Sequence, residues 1–117
     1  MNESLRRIVS TSFGQMHARL SSGGGTGRPL VLLHMSPRSS QMFIGLQRLL
    51  PRSTVALDRL GYGFSDAPPR ALDMTEYATA ALEALAALGL EGEFDVLGMH
   101  TGSLEAVELA HLAGGRV

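Results

Sequence analysis

The stretch Phe94-Asp95-Val96-Leu97-Gly98-Met99-His100-Thr101-Gly102-Ser103 decides how the rest of the chain is read. A short apolar run, Phe94 to Leu97, meets a G-x-x-x-G turn, and helical apolar spacing follows. A strand that turns sharply into a helix between two glycines is the context of the pattern G-x-nucleophile-x-G. There the central side chain is thrust beyond the carboxyl end of a sheet, and small flanking residues let strand and helix approach. The central residue here is His100, where a serine is usual.

On the carboxyl side of this turn, a helix is expected from about Gly102 to Ala113, closed by Gly114-Gly115. On its amino side, Asp73-Met74-Thr75-Glu76 has the form of a capping box, and Ala78, Ala81, Leu82, Leu85 and Leu88 recur at helical spacing before Gly89. Further upstream, Thr54 to Asp58 and Leu30 to His34 are continuous apolar runs, as expected of parallel strands covered on both faces. Between them a helix is expected from about Ser40 to Leu50. It would carry Met42, Phe43, Leu46, Leu49 and Leu50 on one side, with Gln41, Gln47 and Arg48 on the other, and end at Pro51. Gly61-Tyr62-Gly63 and Pro68-Pro69 punctuate a loop.

At the amino end, Arg7 to Ser12 and Gln15 to Ser21 read as two short strands joined around Phe13-Gly14. Met16, Ala18 and Leu20 alternate with Gln15, His17 and Arg19, which places His17 on a solvated polar face. Gly23 to Gly27 precedes a strand and lacks a G-K-[ST] ending, so it reads as a flexible connector and not a phosphate cradle.

The expected fold class is α/β, a mostly parallel sheet with helices on both faces, preceded by an antiparallel hairpin. One domain covers 1–117, with the hairpin in 1–22 and parallel βα units in 28–117. In such sheets ligands bind outside the carboxyl ends of the strands. Those ends are His34-Met35-Ser36, Asp58-Arg59-Leu60 and Gly98-Met99-His100, so three unusual peptides converge on one rim.

Composition excludes several function classes. The 117 residues are 44% hydrophobic with net charge −1, and ten arginines balance eleven acids with no lysine and no basic run, which argues against a nucleic-acid surface. The absence of cysteine excludes a thiolate metal site or disulfide framework and fits a reducing compartment, so a cytoplasmic protein is expected. No apolar run reaches the roughly 18 residues of a membrane span, and neither a metal nor a cofactor is expected. A dinucleotide-binding domain is excluded because no G-x-G-x-x-G follows the first parallel strand.

Three motifs in order give a resemblance to the α/β-hydrolase superfamily over nearly the whole chain. Leu32-Leu33-His34-Met35-Ser36-Pro37 is similar to that family's L-L-H-G-x-P turn, Asp58 to Asp66 to its D-x-x-G-[FY]-G-x-S loop, and Gly98-Met99-His100-Thr101-Gly102 to its nucleophile elbow. The resemblance implies hydrolysis of an ester or a related carbon–heteroatom bond of a small-molecule substrate. It also implies an oxyanion hole formed by the backbone amides of Ser36 and Thr101. His34, Met35, Arg59 and Met99 are the candidate substrate-binding residues on the same rim.

Two departures stand out. Met35 replaces the family's usual glycine, and His100 replaces its nucleophile. A neutral imidazole can attack a carbonyl, act as general base, or remain as the relic of a lost serine. Ser103 reads as a capping or packing residue on the first helical turn. After the elbow the only acids are Glu105 and Glu108 and the only histidine is His111, all on the departing helix. His111 is about 16 Å along the axis from His100, so these read as a solvated helix face and a last-turn cation. The resemblance would place the sixth strand, the triad acid and histidine, and the lid after Val117. The chain alone is therefore expected to turn over esters negligibly, and its alternative reading is a non-catalytic small-molecule-binding module. Phe94 to Leu97 and the helix stripe Leu104, Val107, Leu109 and Leu112 would be left as an apolar edge open to self-association.

Overall fold

The computed structural model describes residues 4–117, so residues 1–3 of the expected hairpin span lie outside the described residues. Strands β1 (Leu5–Thr11) and β2 (Gly14–Ser21) form the antiparallel hairpin, with Thr11 opposite Gly14 at the turn. β2 then pairs antiparallel with β4 (Thr54–Leu57). β4 and β5 (Asp95–Gly98) both run parallel to β3 (Leu30–Leu33), which lies between them in a sheet of order β1-β2-β4-β3-β5. The strand leading to His34 is thus central among the parallel three, as its uninterrupted apolar run predicts.

The pleat divides the core into two layers. Val31, Leu33, Val55 and Leu57, with Met16 and Ala18 from β2, face helices α2 (Met74–Ala87) and α3 (Thr101–Ala113). Full burial of each leucine here contributes roughly 1.5–3 kcal/mol. Leu32 and Ala56 face the other way and pack under Phe43. Ala78, Ala80, Ala81 and Ala84 give α2 a smooth buried side. Its capping box forms as expected: Glu76 N donates to Asp73 Oδ1 at 2.8 Å and Asp73 N to Glu76 Oε1 at 3.1 Å. At the other end Gly89 takes φ 88°, Leu90 N donates to Leu85 O and Gly89 N to Ala86 O, the bond pair that terminates helices through a left-handed glycine.

The helix expected over Ser40 to Leu50 is a 3₁₀ turn, Ser40–Phe43, running into a short α1, Ile44–Leu49. Four residues wound at three per turn, where an α-helix has 3.6, advance the phase by roughly 80°. One residue of the expected polar side is thereby turned inward, while Gln41 and Arg48 stay exposed. Gln47 is buried and donates to Arg19 O and Thr54 Oγ1, both at 3.0 Å, while Leu49 is 76% exposed.

β5 ends the sheet, and Leu104 and Val107 on α3 are 62% and 70% exposed, as the expected apolar edge requires. Two details differ. Leu109 is fully buried against α2 and the sheet, and the outer edge of β5 is covered at its start, where Arg116 O accepts from Phe94 N at 2.9 Å. Among the described residues, no helix is long and apolar enough to cross a membrane.

Candidate functional site

The elbow is built by close approach. Asp95 N donates to Pro29 O and Met99 N to Leu33 O, which carries the parallel ladder to the last residue before the apex. A Cβ on Gly98 would stand 2.2 Å from Gly102 O, and one on Gly102 would stand 2.3 Å from Leu33 O. Neither position admits any residue but glycine without moving backbone. Between them His100 takes φ 56°, ψ −116°, and among the described residues it is the only non-glycine residue at positive φ. Such a conformation costs on the order of 1–3 kcal/mol and persists only where its surroundings impose it. The imidazole is exposed and makes no capping hydrogen bond, whereas Gly102 N and Ser103 N donate to Met99 O and His100 O to start α3. Ser103 Oγ also donates to His100 O, which makes it part of the turn.

The first motif faces this apex. Ser36 and Met35 are half-buried, Met99 is exposed, and the Ser36–Pro37 peptide is cis. Ser36 N donates to Thr101 Oγ1 at 2.7 Å, a direct bridge between the 34–37 turn and the elbow. Thr101 N lies at the first position of α3, where an amide has no intrahelical acceptor.

Two of the expected substrate contacts face inward instead. Arg59 is 5% exposed and donates from Nε to Glu105 Oε1 (3.0 Å), from Nη1 to Ser36 Oγ (2.8 Å) and from Nη2 to His34 O (2.6 Å). His34 is buried, with Nδ1 bonded to Met35 O at 2.9 Å and Nε2 accepting from Arg59 N at 2.9 Å, which fixes the Nδ1–H tautomer. Burial holds its imidazole below the usual histidine range, and the Arg59 guanidinium adds to that, against the opposing hydrogen bond to Met35. Both residues buttress the rim from beneath.

Glu105, expected on a solvated face, is buried because it meets Arg59 across the α3–sheet interface. Burial raises its carboxyl above the ordinary range and Arg59 opposes that rise. Glu108 accepts from Thr75 Oγ1 and His111 is exposed in the last turn of α3.

The second motif forms a polar knot that the sequence reading did not foresee. Asp58 is fully buried, with Oδ1 accepting from Ser40 N at 2.6 Å and Oδ2 from Phe64 N at 3.0 Å. His17 Nδ1 lies 2.8 Å from the same Oδ2, and Arg6 Nε donates to His17 Nε2 at 3.0 Å. His17 is therefore neutral, protonated at Nδ1, and buried, not solvated. The alternation in β2 is real, but the 58–65 loop covers its polar face: Phe64 meets the His17 ring edge-on at 5.3 Å and Ser65 Oγ accepts from His17 N. Burial pushes the His17 imidazole down against the pull of Asp58. Burial alone would push Asp58 up, but the amides of Phe64 and Ser40, with His17, outweigh it and leave the carboxyl below its usual value. The sequence held one usable signal, since an acid ending a buried strand needs donors close by.

No family model matches the sequence. Among solved structures, a mutant of the N-acyl homoserine lactonase AidH complexed with N-hexanoyl homoserine superposes with a TM-score of 0.84 at 25% identity, over 95% of this chain and 42% of that one. The fold is that of an α/β hydrolase. An epoxide hydrolase from an endophytic Streptomyces aligns at 30% identity and TM-score 0.81, over 93% of this chain and 33% of its own. An α/β hydrolase from Novosphingobium aromaticivorans, 24% identical, matches the fold over 100% of this chain and 42% of its own length with TM-score 0.86. The chain thus spans between 33% and 42% of these α/β hydrolases. Among the described residues, no group of three histidine, aspartate or glutamate side chains converges on a metal position.

Proposed function

We propose that this chain supplies the elbow and oxyanion side of an α/β-hydrolase site for a small ester or related carbon–heteroatom bond, with His100 at the nucleophile position. The observation that carries it is the elbow itself: His100 at φ 56° between Gly98 and Gly102, each closed to a Cβ by backbone. The Thr101 amide opens the helix beside it, and a preorganised amide aimed at a developing oxyanion acts strongly in a dry site. Met35 and Met99 supply apolar contact for the substrate, and the cytoplasm is the compartment that the cysteine-free sequence favours.

For residues 1–117 alone, one observation favours binding over turnover. The acids and histidines around the rim are committed elsewhere: Glu105 to Arg59, His34 to Met35 and Arg59, and Asp58 to His17. His100 then has no acid–base partner of the kind a triad needs. Phe94 is buried and its amide is held by Arg116 O, but Leu97 farther along the β5 edge, with exposed Leu104 and Val107, offers a surface for self-association. Purified residues 1–117 should hydrolyse an activated aryl ester no faster than His100→Ala, and elute in size-exclusion chromatography above monomer size. A monomer with turnover that disappears in His100→Ala would replace this reading with a self-sufficient histidine catalyst.

A further inference from the structure

The Ser36 amide, one of the two expected oxyanion donors, is already engaged by a side chain. It donates to Thr101 Oγ1 at 2.7 Å. A hydroxyl that accepts from an amide must send its own proton elsewhere, and none of the hydrogen bonds made by the described residues takes the Thr101 proton. Thr101 is half-buried at the start of α3, directly after the apex. Ser103 Oγ gives its proton to His100 O, whereas Ser36 Oγ accepts from Arg59 Nη1 and, like Thr101, keeps its own. Of the three hydroxyls around the turn, Thr101 is the one that both holds the Ser36 amide and keeps a donor.

We propose that the Thr101 hydroxyl stands in for the Ser36 amide, relaying its polarity to a bound carbonyl or carboxylate oxygen. The anion site of this chain is then made by the amide and the hydroxyl of one residue. This rests on the reading that the elbow receives a small carbonyl compound. An O–H whose oxygen accepts from an N–H becomes a better donor, because the two bonds polarise one another. A β-branched side chain is also stiff about χ1, so an oxygen cannot reach the Ser36 amide directly without forcing Thr101 out of its rotamer. The chemical class that fits is a small carboxylate, or the ester or lactone carbonyl that precedes it, held by two donors of neutral groups with no cation in contact.

The test is an NMR titration of residues 1–117 with sodium butyrate, read at the Ser36 and Thr101 amides together with their hydrogen-exchange rates. It compares the native chain with Thr101→Val, which keeps the shape and removes the hydroxyl, and Thr101→Ser, which keeps the hydroxyl. Butyrate should move the Thr101 amide in the native chain and in Thr101→Ser. In Thr101→Val the Ser36 amide should exchange faster and butyrate should bind about tenfold more weakly, the loss expected for one neutral hydrogen bond. Butyrate binding to Thr101→Val as tightly as to the native chain, or more tightly, would make the hydroxyl a plug and overturn the relay alone. Exchange at Ser36 that responds to the substitutions while no protein binds butyrate would remove the carbonyl-site reading, and the relay with it.

Discussion

Two polar groups stand at the carboxyl ends of the strands flanking β3, and the protein treats them in opposite ways. Asp58, after β4, is wrapped: both carboxylate oxygens and its carbonyl accept hydrogen bonds from Ser40, His17, Phe64 and Ser65. His100, after β5, is exposed, held at positive φ, and makes no capping bond. A buried and fully satisfied group is committed to holding its neighbours in place. An exposed ring on a strained backbone carries no such commitment. Position in the fold is shared, and partner count separates the buried group from the displayed one.

The sharpest way to break this contrast is Asp58→Ala. It strands the His17 ring and the amides of Ser40 and Phe64 inside the protein, and should lower unfolding free energy by about 3–5 kcal/mol in urea melts. A loss under about 1 kcal/mol would mean the knot is not structural. Next is Gly98→Ala, whose Cβ would meet Gly102 O at 2.2 Å. The backbone shift should cost about 1–3 kcal/mol in the same measurement, while substitutions at exposed Met99 stay within about 0.5 kcal/mol.

The pH dependence of stability sharpens the comparison further. Burial holds both imidazoles below the usual histidine value of about 6.5, His17 facing Asp58, Arg6 and Arg19, and His34 facing Met35, Arg59 and Asp58. The unfolded chain therefore binds protons first, and stability should fall as pH drops below about 6.5, by up to about 1.4 kcal/mol per pH unit for each histidine. Glu105 works in the opposite sense: raised by burial above 4.5, it favours the folded state as it protonates there and offsets part of the decline. The fall monitored by circular dichroism should be steeper in Glu105→Gln. Asp58, lowered from 3.8, adds its own loss only below that value. A stability curve flat from pH 7 to 5 would contradict neutral, Nδ1-protonated imidazoles at His17 and His34. The smallest effect belongs to the elbow: His100→Gly should raise stability by about 1 kcal/mol, since glycine relieves the strain at some entropic cost. A decrease would show that the imidazole braces the turn.

The parallel strands, the Asp73 capping box and the glycine-flanked apex were legible because each is written in neighbouring residues. Val31, Val55 and Val96 pair in register as their apolar runs imply, and Gly98 and Gly102 are needed where the pattern puts them. What the sequence concealed lies between residues far apart in the chain. His17 alternates with apolar neighbours like a solvent-facing residue, and only the 58–65 loop, some forty positions later, covers it. Arg59 and Glu105 satisfy one another across 46 positions, so neither alone announces burial. Gln47 turns inward because a 3₁₀ start shifts the phase of α1, a change that periodicity at 3.6 residues does not register.

The glycines at 98 and 102 also bear on how such a site changes over evolutionary time. The turn is enforced by backbone packed on backbone, at positions where every substitution collides, while the apex side chain contributes no bond to holding it. The turn and the side chain at its apex are thus separate inheritances. A single codon change at position 100 therefore changes the side chain on display without rebuilding the turn, and the shape of the turn carries no record of which side chain it displays.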